Sequence, residues 1–118
     1  MSEEEIAEDK YDVFLCYNHE DEASVKKIGN QLKEERITPW LYSWDIRPGT
    51  LRQREIDQQI MHVLAAAVFV GKAGVSLEQE LEIYSLLSEF ARRGCRVIPV
   101  FLEDAPDKPE LPGSLKTL

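Results

Sequence analysis

Apolar and polar positions alternate along this chain between short, nearly continuous apolar runs and longer stretches with helical spacing. Tyr11 to Tyr17 is rich in aromatic and β-branched residues, which predicts a strand. It stops abruptly in the polar pair Asn18-His19. The acidic cluster Glu20-Asp21-Glu22 suits the first turn of a helix, where the backbone dipole favours negative charge. That helix runs to about Glu35, with Val25, Ile28 and Leu32 spaced to face a core. Ile37 to Leu41 predicts a second strand, and Arg47-Pro48-Gly49 a turn. Ile56, Ile60, Val63 and Leu64 then mark an amphipathic helix. Ala65 to Val70 is apolar on both faces and reads as an interior strand. Gly71 and Gly74 bracket a loop before a helix from Leu77 to Arg93. Gly94 is placed to end that helix, and Arg92 and Arg93 suit the negative end of its dipole. Arg96 to Leu102 is the fourth strand, where Pro99 predicts a bulge or a place near an edge. Strands alternating with helices over short links mean an α/β fold with a parallel sheet. In such sheets ligands bind just beyond the carboxyl ends of the strands.

The Leu77 to Arg93 segment has more apolar surface than one sheet face needs. At about 100° per residue, Glu78, Glu82, Ser85 and Glu89 share a polar stripe. Leu77, Leu81, Tyr84, Leu87 and Ala91 lie opposite. Ile83, Leu86 and Phe90 widen the apolar sector to over half the circumference, beyond the stripe of about 100° that a covering helix requires. The excess predicts burial against a second surface.

Composition narrows the function. At 118 residues the chain is one domain by length, and 43% hydrophobic with 31% charged residues describes a globular protein. A net charge of −8, with scattered basic residues, argues against nonspecific binding to nucleic acid. Met1 to Asp9 carries five acidic residues and reads as a flexible arm rather than a signal peptide. No apolar run is long enough to span a membrane. Cys16 and Cys95 have no metal-like spacing and suit reduced thiols in the cytoplasm. Glu103 to Leu118, with four prolines or glycines and no strong period, reads as loop with at most a short helical turn.

Tyr11-Asp12-Val13-Phe14-Leu15-Cys16-Tyr17 resembles the first box of Toll/interleukin-1 receptor (TIR) domains. Ser43-Trp44-Asp45-Ile46-Arg47-Pro48-Gly49 looks like the BB loop of that family, and Val97-Ile98-Pro99-Val100 like its fourth-strand motif. Phe90-Ala91-Arg92-Arg93-Gly94-Cys95 is similar to bacterial members. The likeness spans residues 10–118 in the family's order and spacing. It implies a flavodoxin-like sheet of strand order 2-1-3-4-5, with helices on both faces and a switch point between the first and third strands. No fifth strand is obvious before Leu118, as though that strand were truncated.

Many TIR domains cleave NAD+, and the resemblance implies that possibility here, in signalling or defence, with NAD+ as substrate rather than cofactor. It places Glu82 at the family's catalytic glutamate. Nicotinamide leaves as a neutral group, so a carboxylate beside the oxocarbenium-like ribose is most of what the chemistry requires. Phe14, Asn18, His19, Lys72 and Glu78 are the candidate substrate-lining residues. Two features stand apart from the pattern. Glu78 occupies the family's usual tryptophan position, and no Walker or Rossmann glycine fingerprint is present. The other function class is a scaffold without activity, working through contacts with other TIR domains. Trp44, Asp45, Arg47, Pro48 and Gly49 would carry those contacts, together with the helices that follow. A response-regulator receiver shares the fold but needs an acidic pair at the end of the first strand to hold magnesium.

Overall fold

The computed structural model describes residues 11–45, 49 and 51–105. Four parallel strands form the sheet: β1 (Val13–Cys16), β2 (Pro39–Trp40), β3 (Ala65–Val70) and β4 (Arg96–Phe101). Their order is β2-β1-β3-β4, with β1 and β3 central, so the expected topology holds over the four described strands. The expected fifth strand and the acidic arm of residues 1–9 lie outside the described residues.

Helices cover both faces because strand side chains alternate. Phe14, Cys16, Ala66 and Val68 point to one face. There they meet Ile56 and Ile60 of α3 (Arg52–Ile60) and Ile83, Leu86 and Phe90 of α4 (Leu77–Arg93). Phe14 stacks on Trp40 with ring centroids 5.0 Å apart. Leu15, Tyr17 and Phe69 point to the other face, against Val25 of α1 (Glu22–Glu34). Ile28 and Leu32 complete that contact from the α1 stripe.

Local differences from the sequence pattern have identifiable causes. Glu20 and Asp21 belong to a 3-10 turn, His19–Asp21, rather than to the first turn of α1. Asn18 caps that turn by accepting a hydrogen bond from the Glu20 amide at 3.0 Å. Tyr42–Asp45 winds into one short helix, α2, at the start of the expected BB loop. Asp45 holds it by accepting from the Leu41 amide at 2.9 Å. β4 pairs with β3 in unbroken register from Ala65–Arg96 to Val70–Phe101, so Pro99 makes no bulge. Among the described residues β4 has a neighbour on one side only, which suits a residue lacking an N–H. Leu64, read as core-facing, is 68% exposed. Cys16 is buried, whereas Cys95 is only partly so, and neither is in a disulfide.

The largest correction concerns α4. Its boundaries match the sequence pattern, with Ser76 accepting from the Gln79 amide and Gly94 in the left-handed region. Its buried face is Gln79, Glu82, Ile83, Leu86 and Phe90. Leu77, Leu81 and Tyr84, placed opposite the polar stripe, point to solvent, whereas Glu82 of that stripe is buried. The two apolar arcs compete for one sheet, and the arc matched by Ile56 and Ile60 of α3 is buried.

Candidate functional site

Three segments converge at the carboxyl edge of the sheet: the β1–α1 turn, the β3–α4 loop and the end of β4. Asn18 joins the first two, its amide donating to the Gly74 carbonyl at 3.3 Å. Gly71 and Gly74 form an antiparallel bridge, and the positive φ of Gly74 (75°) allows the tight turn between them. Gln79, fully buried, fastens α4 to the sheet. Its side-chain N–H groups donate to the Phe69 carbonyl at 2.8 Å and to the Cys16 carbonyl at 3.4 Å. Helix α4 therefore cannot slide relative to β1 and β3 without breaking buried hydrogen bonds.

Glu82 follows Gln79 by three residues on the same buried face and is only 4% exposed. A solvated surface carboxylate is thereby excluded. Glu55 and Gln59 on α3 are buried polar residues as well, at 6% and 8% exposure. The sequence pattern did not single out these two or Gln79. The available signal was the S-x-x-Q sequence Ser76 to Gln79, a capping-box pattern, of which only the serine half is used as a cap. The glutamine side chain is diverted to the strand carbonyls instead.

The other expected lining residues scatter. Phe14 is fully buried in the core under Trp40. His19 and Glu78 are exposed. Lys72, also exposed, borders a cleft of about 410 Å³ together with Glu20, Asp21, Ala73 and Asp104. Glu82 is not among the residues lining that cleft. The surroundings of Lys72 are thus acidic, which disfavours a pyrophosphate there. Asp21 is 7% exposed and packs against the bare backbone of Gly71. Burial, then the nearby Asp104 and Glu20, pushes its carboxyl above the ordinary value. No group of three or more histidine, cysteine or carboxylate side chains able to hold a metal occurs among the described residues.

The expected contact loop is partly described. Trp44 turns back onto α1, its ring against Gly29 and under the Lys33 ammonium, 4.0 Å from the ring centroid. Asp45 also accepts from the Tyr11 hydroxyl at 3.3 Å, and burial raises its carboxyl above the ordinary range. Both residues hold the base of the loop. Gly49 has a φ of 84°. Arg47 and Pro48 lie outside the described residues. No helix among the described residues is long and apolar enough to cross a membrane.

Comparison with known proteins places this geometry. The chain is similar to the TIR domains of the activated Roq1 resistosome that directly recognizes the pathogen effector XopQ. Identity is 25%, the TM-score 0.70, and the match covers 80% of this chain and 58% of that one. It is also similar in fold to the TIR domain of the Toll-related receptor TRR-2 from Hydra magnipapillata. There identity is 21% and the TM-score 0.71, over 92% of this chain and 81% of that one. No curated protein matches the sequence. The sequence model of the TIR domain matches residues 13–118, and with the β2-β1-β3-β4 sheet in place the chain belongs to the TIR domain family.

Proposed function

We propose that this domain is a bacterial-type, cytoplasmic TIR signalling module that cleaves NAD+ when copies of it assemble. The observation that carries the reading is the carboxylate of Glu82, buried on the inner face of α4 beside a helix clamp. An ionised carboxylate in a low-dielectric setting stabilises a developing oxocarbenium far better than one in water. Nicotinamide departs neutral, the ribose carbon becomes electron-poor, and Glu82 balances that charge and accepts from ribose hydroxyls. Water or a ring nitrogen of the same nucleotide then bonds to the ribose carbon, giving hydrolysis or cyclisation. At 4% exposure Glu82 is closed to a nucleotide in the single chain, so assembly must open the path to it. The presence of the Roq1 TIR domains in an activated resistosome supports an assembly-dependent mode.

A scaffold without activity is the second reading, favoured by a specific surface. Leu77, Leu81 and Tyr84 stand outward on α4 at 74%, 55% and 57% exposure, one above another at helical spacing. Exposed Glu78, in place of the family's tryptophan, also favours it. Nicotinamide release by concentrated protein, measured beside Glu82→Ala, separates the two.

A further inference from the structure

The cleft around Asp21 carries chemistry that the reading of Glu82 does not use. Among the described residues three carboxylates, Glu20, Asp21 and Asp104, border it against the one ammonium of Lys72. Asp21 Oδ2 is enclosed with no hydrogen-bond partner among the described residues. Its carboxylate is pinned in place by contact with Gly71. On the facing wall, Asp104 is oriented by the Lys72 backbone N–H, which donates to it at 3.3 Å. An exposed carboxylate at the cleft mouth, with a buried and incompletely bonded carboxylate lining the same cleft, suits a ligand with several N–H donors.

The size and spread of these groups decide the class of cation. No three of the described ligand-type side chains converge as a metal would require. A cleft of about 410 Å³ instead admits a planar guanidinium or an ammonium with room for bridging water. It adjoins a groove of about 520 Å³ that shares Asp104 and is lined by Ile28, Val100, Phe101 and Leu102. Phe101 is 51% exposed there, an apolar floor with no use for a free hydrated cation. Lys27 lines this groove rather than the cleft, so among the described residues Lys72 is the cation that the three carboxylates share.

We propose that the Asp21–Asp104 cleft receives an arginine or lysine side chain of a partner polypeptide, with an apolar neighbour of that side chain lying in the groove beside β4. The site is independent of Glu82 and of NAD+ cleavage. The burial and like-charge crowding that hold the Asp21 carboxyl above its ordinary value are what an incoming cation would relieve.

The test is an amide-resonance titration of the isotope-labelled chain at constant ionic strength. The probes are acetyl-arginine amide, acetyl-arginyl-leucine amide and guanidinium chloride. Saturable shifts at Gly71, Lys72 and Asp104 are expected, strongest for the dipeptide. Affinity should fall about tenfold or more in Asp104→Asn, the loss of one charge-assisted contact worth about 1.4 kcal/mol. Asp21→Asn should lose it further. Asp104 is exposed, so its variant keeps the test valid if substitution of Asp21 disturbs folding. Absence of saturation with the dipeptide, or native affinity in Asp104→Asn, overturns the proposal. Guanidinium chloride binding as tightly as the dipeptide also overturns it, because the site would then take a free cation and not a polypeptide.

Discussion

The Asp21 carboxylate fills the space that a side chain on Gly71 would need: a Cβ at Gly71 would stand 2.8 Å from Asp21 Cγ. The end of β3 and the start of α1 are thus fitted to one another through a missing methyl group. Gly71→Ala should destabilise the domain by about 1–3 kcal/mol, because the carboxylate must leave its pocket or the loop must shift. Adding Asp21→Ala to Gly71→Ala should recover part of that loss. Denaturant midpoints of the two single variants and the double variant measure the coupling. Additive effects would mean that the two residues do not compete for space.

Asp21 also sets a pH dependence. Its folded-state carboxyl lies above the ordinary value, chiefly through burial and then through Asp104 and Glu20. Between the unfolded and folded values the folded state holds more protons, so stability falls as pH rises through that window. The cost of ionised Asp21 is complete above its folded value and absent below its unfolded one. Asp21→Asn should therefore be more stable than the native chain near pH 7, and its advantage should shrink as pH falls toward about 4. Asp45 shifts in the same direction but is common to both proteins, so the difference between their urea midpoints isolates Asp21.

Gln79 should prove as important to the fold as any apolar residue of α4. Gln79→Leu keeps the volume but removes the donors to Phe69 and Cys16 carbonyls, at a cost of about 2–3 kcal/mol. Gln79→Glu should cost more, since it buries a charge and offers acceptors to acceptors. Chemical denaturation of both variants checks the order.

The outward row on α4 should behave in the opposite way. Leu81→Glu removes no core contact, so its stability should stay within about 0.5 kcal/mol of the native chain. Self-association, followed by light scattering, should nonetheless weaken strongly. Unchanged association would remove α4 from the assembly surface.

The sequence and the structure agree where one signal dominates and part where two compete. β3 is apolar on both faces and flanked by glycine, and its predicted span, Ala65 to Val70, is the observed one. α4 has a serine cap and a left-handed glycine stop, and its ends agree as well. Its inner face did not follow from spacing, because Leu77, Leu81 and Tyr84 form an apolar arc about as good as Ile83, Leu86 and Phe90. Only the partner surface, here Ile56 and Ile60 of α3, decides between them. For the same reason Glu82 reads as a surface residue by pattern, and only the resemblance to TIR domains marked it. The acidic cleft was legible in part: Lys72 lies beyond β3 as expected, but Asp104 approaches it only through the pairing of β4 with β3.

The most direct test of the account is nicotinamide release from NAD+ by native protein and by Glu82→Gln, at concentrations where light scattering reports assembly. The substitution keeps the size of the side chain, removes its charge and replaces one acceptor oxygen with an N–H donor group. The account predicts release by the assembled native protein and a loss of about a hundredfold or more in the variant, with assembly unchanged. Release at the native rate by Glu82→Gln, or none from assembled native protein, would contradict it.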